Sequence, residues 1–335
     1  MKPLYDATPD FIRDNKLAHF MKDKLNKSYT HLIEVYEHKT KKDHSATKES
    51  LSIVLNSNSS HLSGLLFSFH HQLLYAMRSG HIQMIDKVLS GLRQSCFVQR
   101  NTDISIINYQ NNDYGEFSNN CITNAINFTF EKTYQTDFGL TTSSDDSFAE
   151  TSNVTRHSLE FLKNFDSEIY QEMQEIVSDI VICNSKKLNA ATSYVTYGFI
   201  YLRELREGEN WTRILEHIVH EAGHHHLHAV TMCDPLFERS EQLYKSPLRV
   251  ALRPMIGIYH AMFVLARTLR VFNKLKKDSR YQELISQVKT SYNEQENEED
   301  FIVKFEEAYN TIKGGAKLTD VGSKLLESCR EMAYN

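Results

Sequence analysis

WTRILEHIVHEAGHHHLHAV, residues 211–230, decides how the rest of the chain is read. Trp211, Ile214, Leu215 and Ile218 recur at helical spacing, so a buried amphipathic helix leads into His220-Glu221-Ala222-Gly223-His224. Positions i and i+4 share a face of a helix, so the imidazoles of His220 and His224 can reach one metal ion in an HExxH arrangement. Glu221 projects about 100° round from His220. Gly223 suits the close approach of another backbone, at a known cost to helix stability.

Of the 16 histidines, those at 217, 220, 224, 225, 226 and 228 crowd this one stretch. His217, His220, His224 and His228 fall near one stripe, but 217 to 228 spans about 16 Å of helix, too far for one ion to take all four. The pair flanking Glu221 is expected to ligate. His228 is expected beside the centre or at the surface. His225 and His226 point off the stripe and are expected to be solvated or hydrogen-bonded.

A chain of 335 residues, 41% hydrophobic and 24% charged, has enough apolar material for a sizeable core. A formal net charge of −5 argues against a nucleic-acid-binding surface. Five scattered cysteines (Cys96, Cys121, Cys183, Cys233, Cys329) without CxxC spacing point to reduced thiols rather than a disulfide framework. Residues 1–16 carry no apolar run of the signal-peptide kind, and the apolar run from Pro254 to Ala266 is too short to span a bilayer. A cytoplasmic protein with no membrane partner is the expectation.

Apolar periodicity predicts helices from about Phe11 to Tyr36, Leu62 to Met77 and Ile82 to Leu92, with a polar patch at 38–49. Ile104–Tyr109 and Ala125–Phe130 read as strands among polar loops, and 140–153 as a mobile loop. The whole of 96–153 reads either as a region that helps hold a substrate or as a disordered surface insertion. A helix is expected over 158–177, strands over 179–183 and 193–202, then the HExxH helix and an irregular proline-containing segment. Further helices are expected at 255–277, 280–293, 298–312 and from the cap Thr319 to about 331. The fold class expected is α+β, mainly helical: a helical bundle with a small antiparallel sheet next to the HExxH helix, in zincin-like packing. Three regions of one integrated domain follow: helical 1–95, mixed 96–190 with a possible substrate-binding role, and catalytic 191–335.

The third ligand decides the chemistry. The extended HExxHxxGxxH form is absent, because Leu227 and Val230 stand where Gly and His belong. Glu238, Glu241 and His260 remain, the last on an apolar helix that can fold back onto the first. With zinc and a carboxylate ligand, Glu221 would be the general base of a metallopeptidase.

The run HIVHEAGHHHLH, then Tyr244-Lys245-Ser246-Pro247-Leu248-Arg249, Arg253-Pro254, Gly257-Ile258-Tyr259-His260 and Leu318-Thr319-Asp320-Val321-Gly322, resembles a known family. It is similar to the HExxH-type, Fe(II)- and 2-oxoglutarate-dependent β-hydroxylases of ribosomally synthesised peptides. Residues 1–190 match only in general character. Ala261 stands where the family usually has Gly, and Leu248 where it often has Trp; neither is a ligand. The resemblance implies that His220, His224 and His260 hold Fe(II), leaving positions for 2-oxoglutarate and O₂. It implies a fixed cation for the far carboxylate of 2-oxoglutarate, with Arg253 preferred over Arg249, and hydrogen bonds from Tyr244, Ser246 and Tyr259. Glu221 would then orient a ligand or gate the substrate, a precursor peptide.

Overall fold

A computed structural model describes residues 3–55, 63–95, 103–285 and 301–335. Four helices come first: α1 (Phe11–Thr40), α2 (Ser45–Leu55), α3 (Gly64–Ser79) and α4 (Ile82–Ser95). Strand β1 (Ser105–Asn108), helices α5 (Glu116–Thr129), α6 (Asp145–Phe165) and α7 (Ser167–Ile176), and strands β2 (Asp179–Cys183), β3 (Ala190–Thr192) and β4 (Phe199–Arg203) follow. The HExxH stretch is α8 (Trp211–Cys233), succeeded by hairpin β5 (Leu243–Ser246) and β6 (Arg249–Pro254). Helices α9 (Met255–Lys277), α10 (Gln282–Ile285), α11 (Phe301–Gly315) and α12 (Asp320–Tyr334) complete a mainly helical α+β fold.

Two units interleave along the chain. One comprises Met1–Asp14, Ser152–Met173 and Leu205–Asn335; the other comprises Asn15–Thr151 and Gln174–Glu204. The second unit holds a four-stranded sheet in the order β1-β2-β4-β3. β1, β2 and β4 are parallel, and only the edge strand β3 is antiparallel. The strands expected over 104–109, 179–183 and 193–202 thus pair parallel where an antiparallel sheet was expected, and the antiparallel pair of the HExxH unit is β5–β6. Every residue of β2 and β4 is buried, as in sheets covered on both faces, so neither strand carries the alternation that would reveal its direction.

Three local expectations also change. Ala125–Thr129 is the end of helix α5 and Phe130 begins a π-helical turn, so the segment is not a strand. Cys121, Ile122, Ala125 and Ile126 are buried at helical spacing, and this tertiary face overrides the β-propensity of Ile, Phe and Thr. The expected loop at 140–153 contains the first turns of α6: the Ser144 hydroxyl accepts from the Ser147 amide, and Asp145 and Asp146 favour a helix N-terminus. The single strand expected over 193–202 is a 3₁₀ turn at Tyr194–Thr196 followed by β4, with Gly198 at φ 102° between them. The polar patch at 38–49 includes the start of α2. Residues 286–300 of the two helices expected after α9 lie outside the described residues.

In the HExxH unit, α9 is the helix on which α8, α11, α12 and the β5–β6 hairpin pack. It runs 23 residues, longer than the apolar run marked in the sequence and long enough to cross a membrane, but 83% of its most apolar window is buried within the protein. The Leu-Thr-x-x-Gly segment is tied to the chain just beyond α8. Thr319 caps α12, accepting from the Gly322 amide at 3.0 Å, while its hydroxyl donates to the Pro235 carbonyl at 2.8 Å. A Cβ at Gly322 would lie 1.8 Å from the Leu236 carbonyl oxygen, so only glycine fits.

The sheet unit buries one amine at a cost. The Lys22 Nζ has no hydrogen-bond partner among the described residues. Burial pulls its ammonium down to about 8, against the attraction of Glu175. Above pH 8 the unfolded chain, with lysine near 10.4, binds more protons than the folded one, so stability rises with pH across that window. Lys22→Met is therefore expected to stabilise the protein by roughly 1 kcal/mol at pH 7. It should also flatten the rise in Tm between pH 8 and pH 10, both read by thermal melts.

Candidate metal centre

Asn210 caps α8, its side chain accepting from the Thr212 amide at 2.9 Å. The helix then enters the protein interior. Between Ile214 and Val230 every residue is buried except His224 and His228, which are half-buried. A helix surrounded this completely is fixed by its neighbours rather than by one apolar stripe. The closest neighbour is α9. A Cβ on Gly223 would meet Val264 Cγ1 at 3.1 Å and Val264 Cα at 3.6 Å, so the missing side chain lets the two helices approach. His260 lies one turn before Val264 on that helix.

This contact brings two of the predicted ligands together. His224 Nδ1 and His260 Nδ1 are 2.9 Å apart. Two imidazole nitrogens each about 2.1 Å from one ion, at right angles, stand about 3 Å apart, so the spacing suits a shared metal as well as a hydrogen bond. Ligand atoms of His220, Glu221 and His224 also lie within 4.8 Å of one another. The other nitrogen of His260, Nε2, is buried without a hydrogen-bond partner among the described residues. Burial foremost, with the neighbouring cations and imidazoles, holds His220, His224 and His260 well below the ordinary histidine range. Neutral imidazoles with free lone pairs are the form that ligates a divalent ion, so the residues fit a metal.

The hairpin supplies the polar groups. Tyr244 pairs with Arg253 across the strands and Ser246 with Arg249, on either side of a register shift, and these four predicted cosubstrate residues are the less exposed positions of the two strands. Ser246 is buried, Tyr244, Arg249 and Arg253 are half-buried, and Val250 and Leu252 are exposed. The positive charge of Arg249 acts on both His220 and His224. Arg253 packs its Cβ 3.3 Å from the Cβ position of Gly257. Two of the predicted hydroxyls have protein partners: Tyr244 donates to the Gly315 carbonyl at 2.9 Å, and the buried Tyr259 donates to the Gly322 carbonyl at 2.7 Å. Glu238 and Glu241 are exposed, Glu238 beside Lys317 at 3.5 Å.

Sequence reasoning missed the histidines between the ligands. His225 and His226, expected off the helix stripe and solvated or hydrogen-bonded, are both fully buried. His226 stacks on Phe263, and its Nδ1 lies 3.1 Å from Asp14 and 3.4 Å from Glu172. Asp14, Glu172 and His226 are ligand types, yet Arg13 and Arg267 pair with the two carboxylates and balance their charge. Burial pushes the Glu172 carboxyl up, against the pull of Arg267. We assign this group to structure: it joins α1, α7, α8 and α9 at one buried node. His228, expected at the margin, has its ring 4.5 Å from that of His260. The one sequence signal for these roles was the density of histidines itself.

The chain matched no protein-family model and no curated protein.

Gly223→Ala gains about 1 kcal/mol of helix propensity but crowds Val264 Cγ1 at 3.1 Å, which must give by a few tenths of an ångström at the α8–α9 contact. The expected result is unchanged helical circular dichroism with weakened Co(II) binding in a calorimetric titration. Adding Val264→Ala, which removes the obstructing Cγ1, should restore the affinity.

Proposed function

We propose that the protein is a cytoplasmic Fe(II)- and 2-oxoglutarate-dependent hydroxylase that oxidises a side-chain β-carbon of a ribosomally made precursor peptide. The observation carrying this reading is the 2.9 Å approach of His260 to His224, which supplies a third nitrogen beside the HExxH pair. A three-histidine face suits a non-haem iron centre that leaves positions open for a bidentate cosubstrate and O₂. When bound, iron and 2-oxoglutarate supply the oxidant: one O₂ atom enters succinate as CO₂ leaves, and the other converts the peptide C–H to C–OH.

The chain's own residues orient and exclude. His220, His224 and His260 would hold the ion, and their burial keeps their lone pairs free of protons. Arg249, whose charge reaches His220 and His224, is the better-supported cation for the far carboxylate of 2-oxoglutarate, ahead of Arg253. Glu221, buried beside both histidines, would orient a ligand and needs no proton-transfer role. Within this reading, the β5–β6 hairpin takes the part of the antiparallel sheet in the zincin-like arrangement. The exposure of Glu238 and Glu241 weighs against the form of the zinc-peptidase alternative that takes one of these carboxylates as its third ligand.

Incubation with iron, 2-oxoglutarate, O₂ and the precursor peptide should add one oxygen to the peptide and release one succinate, measured by mass spectrometry. Glu221→Gln should retain that turnover and His260→Ala should lose it. Peptide cleavage with zinc, independent of 2-oxoglutarate and lost in Glu221→Gln, would overturn the reading. Arg249→Met should raise the KM for 2-oxoglutarate roughly ten- to a hundredfold, corresponding to about 1.5–3 kcal/mol of charged hydrogen bonding. Arg253→Met should raise it less.

A further inference from the structure

The histidine rings around the centre form a chain with His228 at one end. Ring centres are 4.9 Å apart for His220 and His224, 5.0 Å for His224 and His260, and 4.5 Å for His228 and His260. An imidazole nitrogen about 2.1 Å from its ion places the ring centre about 3.2 Å away, so two rings on one ion are about 4.6–5.3 Å apart. Taken pair by pair, all three contacts have the ring spacing of ligand pairs. His220, Glu221 and His224 are the one set at this centre whose three ligand atoms already lie within 4.8 Å of one another, so a third imidazole must turn toward the His224–His260 pair to complete either set. His224 and His260 form the middle pair. His220 continues it from His224 toward the start of α8, and His228 continues it from His260 one turn farther on.

Exposure adds an independent observation. His220 is buried within α8, whereas His224 and His228 are the two positions between Ile214 and Val230 that solvent reaches. An ion arriving from water meets the His228 end first. The two ends differ in chemistry as well. The His220 end has the Glu221 carboxylate within ligand range and lies under the charge of Arg249. A set of His224, His228 and His260 is made of imidazoles alone, a donor set that suits zinc, copper, nickel and cobalt.

We propose that the His224–His260 pair holds a divalent first-row transition ion in either of two mutually exclusive positions, one completed by His220 and the other by His228. The His228 position is a loading site on the solvent side, and the His220 position is the one beside Glu221. Because the two share two ligands, one ion occupies the centre at a time. This rests on the metal-centre reading above but goes beyond it: His228 becomes a ligand in its own right.

The test is Co(II) titration of the tag-free chain, followed by calorimetry and visible absorption, with circular dichroism confirming each variant's fold. His220→Ala is expected still to bind one equivalent, its Kd raised roughly ten- to a hundredfold and its visible spectrum shifted. His220→Gln serves if the alanine variant does not fold. The double variant His220→Ala/His228→Ala is expected to bind none, like His224→Ala and His260→Ala. Loss of all binding in folded His220→Ala and His220→Gln would overturn the proposal. So would a double variant that binds as well as His220→Ala, since Glu221 and not His228 would then complete the set. Absence of binding by the unaltered chain is a different result, and removes the metal centre itself.

Discussion

The centre depends on how closely α8 can approach α9. Gly223 has no side chain to hold the helices apart, and Val264 Cγ1 packs 3.1 Å from where a Cβ would stand. One turn away on α9, that approach sets His260 against His224. The histidines cannot meet if the backbones separate, because an imidazole is short and each belongs to a different helix. A glycine inside a helix costs stability; here the offsetting gain is the packing of two long, largely buried helices against each other.

Around this contact, further links hold the two helices in register. At the far end of the motif, His226 and Arg267 join Asp14, Glu172 and Arg13 in a buried node whose two carboxylates face two guanidiniums. Such a node is costly to desolvate and badly disrupted by the loss of one partner, so it holds register more than it adds net stability. Beyond α8, Thr319 and Gly322 clasp the Pro235–Leu236 turn, and Tyr259, the residue before His260, donates to the Gly322 carbonyl. The Leu-Thr-x-x-Gly segment thus acts on the centre through α9 while remaining outside it.

The hairpin that follows α8 has an unusual distribution of polarity. Tyr244, Ser246, Arg249 and Arg253 are the less exposed positions of its strands while Val250 and Leu252 are exposed, the reverse of a strand that seals a core. That arrangement makes sense if the less exposed positions serve an anionic ligand. It shields Ser246 and the arginines, rather than the apolar side chains, from water, and carries the charge of Arg249 to His220 and His224. Tyr244 has a different role among them: its hydroxyl anchors the hairpin to the end of α11.

The sequence by itself determined the helices and the motif. Amphipathic periodicity located α3, α4, α8 and α9, the Thr319 cap located α12, and i, i+4 geometry put His220 and His224 on one face. These depend on neighbours within a few residues, and a periodic pattern records them directly. Tertiary structure alone decided the direction of the sheet, the helical state of Ala125–Thr129, and the places of His225, His226 and His228. Fully buried strands carry no alternation to read. A helix buried on every side has no face that sequence can mark as inner or outer. For the same reason, which histidine meets His260 was settled by Gly223 and Val264, and not by spacing along α8.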